Sequence, residues 1–190
     1  MKNIQDELER IAKLPNPIQP IELAAMISSH FQKQGVLASV VGGATVQYYT
    51  DAEYVTKDLD MVLYFDTKEI VEKTMKGLGF VRSSSYRHFE HPKLPFVVEF
   101  PPAPVEIGGR FINSFVTLKM NNHEIRILRV EDIIMDRLIA ALVWKDRPSL
   151  DQAKLIWIKN QRYIDLDYLK DFAKSEGCSV LLRKVIDEKK

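Results

Sequence analysis

Two aspartates spaced by two, Asp58 and Asp60, stand at the head of the run Asp58-Leu59-Asp60-Met61-Val62-Leu63-Tyr64, and they constrain the chain more than any other feature. The run is rich in Leu, Val and Tyr and reads as a strand. Side chains alternate along a strand, so both carboxylates share one face. Like charges placed this way repel, and a folded chain keeps them where something offsets the cost. A hard divalent cation such as Mg²⁺, which prefers oxygen ligands, does so. One element upstream, Val40-Val41-Gly42-Gly43-Ala44-Thr45 sets a glycine pair between an apolar strand, Val36 to Val41, and a helix expected from Ala44 to Tyr49. Glycines at such a junction let backbone N–H groups approach a phosphate. Together the two elements describe a site for a metal-bound nucleoside triphosphate.

A third acid extends this reading. Phe96-Val97-Val98-Glu99-Phe100 is an apolar strand with one carboxylate inside it. A buried ionised carboxylate is costly unless a cation or hydrogen bonds compensate it. If this strand lies beside the Asp58 strand, Glu99 completes a cluster able to hold two Mg²⁺ ions, one at an attacking hydroxyl and one at the triphosphate. The plain alternative is a Glu99 that faces solvent on a one-sided strand.

Hydrophobic periodicity organises the rest. Helices are expected over residues 5–13, Ile21 to Gln34 with Gly35 as its stop, and Thr67 to Lys76 with Thr67 as N-cap. From Gly79 to about Leu128 the pattern turns to β. Strands are expected at 80–82, Tyr86 to Phe89, Phe96 to Phe100, Phe111 to Lys119 and Glu124 to Leu128, with Asn121-Asn122 as a hairpin turn. Helices then follow: Val130 to Trp144, Ser149 to Asn160 after a break at Pro148, Asp165 to Lys174, and Ser179 to Asp187. The fold class is therefore α+β: a short mixed sheet flanked by helices, with residues 1–128 as one domain and a helical subdomain over 129–190. Trp144 and Trp157 read as packing residues, as do Tyr48 and Tyr49. His88 and His91 flank Glu90 and read as loop histidines.

Composition excludes several classes. The hydrophobic fraction of 46% suits a packed core rather than wholesale disorder. Net charge is +1, spread as −3 over residues 1–79, +4 over 80–162 and zero beyond. A basic middle suits phosphates or an acidic acceptor, although an ordinary solvated surface accounts for it equally. Cys178 is the single cysteine, so neither an intrachain disulfide nor a cysteine metal cluster is available, which fits a reducing compartment. The N-terminal residues lack an apolar core and a cleavage signature, and the longest apolar run, Leu138 to Trp144, is too short to span a bilayer. A cytoplasmic protein with no membrane role is expected.

The glycine pair, the Asp58/Asp60 motif and the later acid together resemble the nucleotidyltransferase superfamily built on the DNA polymerase β-type palm. Val41-Gly42-Gly43-Ala44 with Thr56-Lys57-Asp58-Leu59-Asp60 is most similar to small bacterial AbiEii-type toxin nucleotidyltransferases and related stand-alone proteins. Val130 to Ala140 is similar to their helix after the palm, with Arg137 where that helix usually carries lysine, and Asp151 in Leu150-Asp151-Gln152-Ala153 matches a later aspartate motif. The resemblance spans roughly residues 36 to 155. It implies that Gly42, Gly43 and Thr45 contact the β- and γ-phosphates, with Lys57 beside them among the substrate-binding residues. It implies that Asp58 and Asp60 hold two Mg²⁺ ions and that Glu99 joins the catalytic ion and helps deprotonate the acceptor. Arg137 would reach the triphosphate, and Asp151 would lie near the nucleotide or orient a basic partner. The implied activity is transfer of a nucleoside monophosphate from an NTP to an acceptor hydroxyl on RNA, a protein or, less favoured, a small molecule. An antitoxin-type protein partner is a further implication. Three departures, the second glycine for serine, Glu99 for aspartate and Arg137 for lysine, motivate the alternative: a catalytically inactive nucleotide-binding or partner-binding module. An unrelated α+β domain with a merely superficial acidic pair is the third reading.

Overall fold

The computed structural model describes residues 4–15, 18–83, 85 and 87–187. Two helices open the chain, α1 (Ile4–Ala12) and α2 (Gln19–Gln32), the latter with Pro20 as its second residue, whose fixed φ suits a first turn. Then come β1 (Leu37–Val40), α3 (Gly42–Tyr49), β2 (Asp58–Tyr64) and α4 (Lys68–Gly77). The Thr67 hydroxyl caps α4 by accepting the Ile70 N–H at 3.2 Å. Five short strands follow: β3 (Val81–Arg82), β4 (His88–Glu90), β5 (Val97–Glu99), β6 (Glu106–Ile107) and β7 (Arg110–Phe111). The hairpin β8 (Phe115–Met120) and β9 (His123–Leu128) turns at Asn121, which takes the left-handed φ of +53° that asparagine tolerates. The helices α5 (Val130–Val143), α6 (Arg147–Asn160), α7 (Leu166–Ser175) and α8 (Ser179–Ile186) complete the chain.

Seven strands form one mixed sheet in the order β3-β4-β5-β2-β1-β9-β8, while β6 and β7 pair separately. The sheet is thus longer than the short one expected. β1 runs antiparallel to β2 and parallel to β9, and β2 runs parallel to β5. Strand alternation sends Leu59, Met61, Leu63 and Val98 to one face, where they join a core with Leu8, Ile21, Ile27 and Phe31 of α1 and α2. The opposite face carries Val62, which packs with Leu128, Ile134, Leu138, Ile156 and Phe172 in a second core. That core draws on residues before and after position 128 alike. α5 packs on α6 and α7, and α8 packs on α6 and α7.

Several local expectations needed correction. α3 begins at Gly42, two residues earlier than periodicity indicated, because glycine at a helix start costs little. The run Phe111 to Lys119 breaks into β7 and β8, and β6 went unseen because two-residue strands carry no period. The Tyr86 end of the expected strand lies outside the described residues; β4 begins at His88. α6 starts at Arg147 with Asp146 as N-cap, so Pro148 sits in its first turn instead of breaking before it, and Ser149 is inside the helix with its hydroxyl on Asp146 Oδ2 at 2.5 Å. Among the described residues, no helix is long and apolar enough to cross a membrane.

Candidate functional site

β2 and β5 lie in parallel register with Asp58 opposite Val97, Leu59 opposite Val98 and Asp60 opposite Glu99. Residues opposite one another share a face, so Glu99 lies on the face of Asp58 and Asp60, one strand spacing (about 4.8 Å) from Asp60 along the sheet. Val62 continues that face into the second core. The three acids therefore stand where apolar packing stops. The Asp58 backbone N–H donates to Thr56 Oγ1 at 3.1 Å, and the Val97 N–H donates to the Lys57 carbonyl at 2.9 Å, which fixes the start of the register.

β1 delivers the glycine pair to the same place. Gly42 has φ +61°, a conformation that L side chains rarely adopt, and a Cβ built on it would lie 2.2 Å from Asp60 Oδ2. Only a residue without a side chain allows this approach. The Gly43 N–H donates to the Asp60 carboxylate from the first turn of α3. The helix start thus already holds an anion, one supplied by the chain itself. Burial pushes Asp60 up to about 6, with the charges of Glu99 and Asp58 adding to the shift; the Gly43 amide and Arg137 pull the other way. The ionised pocket carries more negative charge than its surroundings compensate.

A cavity of about 410 Å³ opens beside this cluster. Its walls include Val41, Gly42, Asp60 and Val62, the proline loop of Pro101, Pro102 and Pro104, Glu106, and Asp136 and Arg137 of α5. Arg137 is half-buried. It is paired with the carboxylate of its neighbour Asp136, and its Nη1 reaches Gln152 Oε1 at 3.3 Å. Glu99 Oε2 lies 3.1 Å from His88 Nε2, across the β4–β5 ladder where His88 stands opposite Glu99. His88 is therefore a strand residue with an acidic partner rather than a loop histidine, whereas His91 is in a loop as expected and is buried beside Phe80.

The sequence-derived residues fall into two groups. Gly42, Asp60 and Arg137 line the cavity, and Gly43, Asp58 and Glu99 adjoin it through Asp60. Thr45, by contrast, is fully buried and does not line the cavity, because the fourth residue of α3 turns inward. Lys57 is exposed at the strand start. Asp151 is exposed on α6 and is not part of the cavity wall; its neighbour Gln152 is the residue that touches Arg137. Sequence reasoning missed Glu106, Asp136, the proline loop and Gln152. The loop punctuates the sequence visibly, but only folding brings it over Val62.

Three carboxylates on one face form an all-oxygen donor set that fits a hard divalent cation in chemistry, and the raised Asp60 is a group that a cation would relieve. Among the described residues, no three or more His, Cys, Asp or Glu side chains are gathered as a metal-binding group. Glu99 is turned to His88 instead, as mutual repulsion of the acids favours.

The tryptophans divide sharply. Trp157 is 7% exposed in the second core, whereas Trp144 is 80% exposed at the end of α5 and does no packing work of the kind expected. The helix stops at Val143, and Lys145 at φ +58° turns the chain away, so the indole is left beyond the last packed turn.

No protein-family model matches the chain, and no curated protein matches it. Among solved structures, an antigenic nucleotidyltransferase-like protein from Paracoccidioides brasiliensis is similar in fold, with a TM-score of 0.55 over 97% of this chain and 94% of that one, at 12% identity. The likeness is one of fold.

Proposed function

We propose that the protein is a nucleotidyltransferase that moves a nucleoside monophosphate from an NTP to an acceptor hydroxyl. The observation that carries the reading is the register of Asp60 opposite Glu99, with Asp58 on the same face and the Gly42-Gly43 helix start against Asp60. The fold of the nucleotidyltransferase-like neighbour supports it. In the reaction the acceptor oxygen bonds to the α-phosphorus. The bond from that phosphorus to the oxygen bridging the β-phosphate breaks, and pyrophosphate leaves. Glu99 takes the hydroxyl proton at its carboxylate. Asp58, Asp60 and Glu99 would hold Mg²⁺, which when bound supplies positive charge for the triphosphate and the attacking oxygen. The backbone at Gly42 and Gly43 would orient the distal phosphates. Arg137 adds a planar cation on the far wall of the cavity. The finer kinship to AbiEii-type toxins rests on the sequence strings alone, and a reducing, cytoplasmic setting suits the buried free Cys178.

One observation favours a second reading. The Gly43 amide is held by Asp60, and Arg137 by Asp136 and Gln152, so two groups assigned to phosphate are internally satisfied. A silent nucleotide-fold module would look the same. Calorimetry with the four NTPs, with and without Mg²⁺, separates the two. The transfer reading expects Mg²⁺-dependent binding that Asp58→Asn/Asp60→Asn abolishes without unfolding the protein, and label from an α-labelled NTP passing to an acceptor. A well-folded wild type that binds no NTP selects the silent module.

A further inference from the structure

The 80% exposed indole of Trp144 has no role in the core or in the nucleotide cavity. Its neighbour Val143 is 60% exposed, so the end of α5 presents two adjacent apolar side chains to water, one of them an indole with an open π-face. Its position is set by α5. Asn160 at the end of α6 donates to the Tyr49 carbonyl at 2.8 Å, which anchors the far ends of α3 and α6 together. α5 runs from that anchored end past the cavity, which it lines with Asp136 and Arg137, and stops at Trp144. Trp144 is seven residues beyond Arg137. Seven residues are two helical turns, so both side chains lie on one side of the helix, about 10 Å apart along its axis. The residues between them on that side, Ala140 and Ala141, carry small side chains.

Charge completes the picture. Lys145 and Arg147 flank the indole, and both are exposed. The intervening acid, Asp146, is drawn to the Ser149 hydroxyl at 2.5 Å. The whole segment from 80 to 162 carries a net +4. One aromatic face between two cations matches a nucleotide, whose base has a π-face and whose phosphates flank it. Protein interfaces instead set their aromatics in a broad desolvated core depleted of lysine. A duplex offers no free base face, so the matching ligand is single-stranded.

We propose that Trp144, with Lys145 and Arg147, is the stacking platform for a single-stranded nucleic-acid acceptor whose terminal hydroxyl enters the carboxylate cavity. This rests on the transfer reading above and names its acceptor class. The helix rise of about 10 Å equals about three stacked-base steps of ~3.4 Å. A strand stacked on Trp144 would therefore reach the Arg137 wall of the cavity about three nucleotides on.

The test uses Trp144 as its own reporter, since Trp157 is buried. Intrinsic fluorescence is followed while the intact protein is titrated with a short mixed-sequence single-stranded RNA, and separately with the same sequence fully paired. The expected result is quenching by the single strand and far less by the duplex. Trp144→Ala should weaken RNA binding about 5- to 100-fold, and Trp144→Phe should restore most of it. Lys145→Ala and Arg147→Ala should each flatten the salt dependence by about 0.7 in log–log slope. Calorimetry with Mg²⁺ and NTP on Trp144→Ala should match the wild type. Equal quenching by the duplex, RNA binding indifferent to Trp144→Ala, or a wild type that binds Mg²⁺–NTP but no RNA overturns the platform and leaves the transfer reading standing. The last of these outcomes turns the search towards a protein acceptor. A wild type that binds RNA through Trp144 but no NTP overturns the transfer reading, and the acceptor role with it.

Discussion

The two faces of β2 and β5 are made by the same ten residues and behave as opposites. On one face Leu59, Met61, Leu63 and Val98 are buried in an apolar core with residues of α1 and α2. On the other, Asp58, Asp60 and Glu99 set like charges along one face at the edge of the second core, and Asp60 is held up to about 6 by burial first and by those charges next. The first face contributes stability; the second costs it. Such a cost is retained where a cation or a ligand offsets it, which is why the polar face, and not the better-packed one, marks the site.

Truncation on the apolar face should have the largest effect. Leu59→Ala removes a fully buried side chain and should cost about 2–5 kcal/mol in denaturant unfolding, while NTP binding per folded molecule is unchanged. Lost binding in the folded variant would mean that the two faces are not independent.

On the polar face the sign should reverse. Asp60 has its carboxyl raised from an ordinary 3.8 to about 6, so the folded state holds the proton more tightly than the unfolded chain. Its stabilising contribution is present below about pH 4, is lost as pH rises through 6, and leaves a penalty above that. The rise from 3.8 to about 6 corresponds to about 3 kcal/mol, reduced because the group still meets water. Asp60→Asn should therefore stabilise the protein by about 1–3 kcal/mol at pH 8, with the gain shrinking as pH falls towards 4. Unfolding curves at the two pH values measure it, and a destabilised variant at pH 8 would break the comparison.

Gly42→Ala should give the smallest change in stability and a large one in function. The left-handed backbone costs about 1–2 kcal/mol with a Cβ present. The new methyl must also displace Asp60, whose oxygen lies 2.2 Å from its position. Thermal unfolding reads the first effect, and loss of Mg²⁺-dependent NTP binding reads the second. Unchanged binding would show that Asp60 does not need its present place.

Much of the site was legible because it follows from short-range rules. Alternation along Asp58 to Tyr64 gave the shared face, and the strand has those bounds in the structure. The helical stretches of α2, α4, α5 and α7 were readable from period and caps. Thr45 was not legible as buried, because two residues of uncertainty at the start of α3 rotate it by about half a turn of the helix. Asp151 and Gln152 are adjacent in sequence, and only the packing of α6 on α5 decides which of them meets Arg137. Trp144 misled for a related reason: it lies one residue past the last packed turn, where composition alone reads as core.

What the sequence determined by itself is the chemistry: two carboxylates at strand spacing, a glycine pair before a helix, and an acid in an apolar strand. These are local, because alternation and backbone freedom act over a few residues. The tertiary structure alone decided which strands became neighbours, that Asp60 should stand opposite Glu99, that a proline loop should wall the cavity, and that an indole should be left outside it. Those outcomes depend on how seven strands and four C-terminal helices share two cores, and packing of that kind is a property of the whole chain.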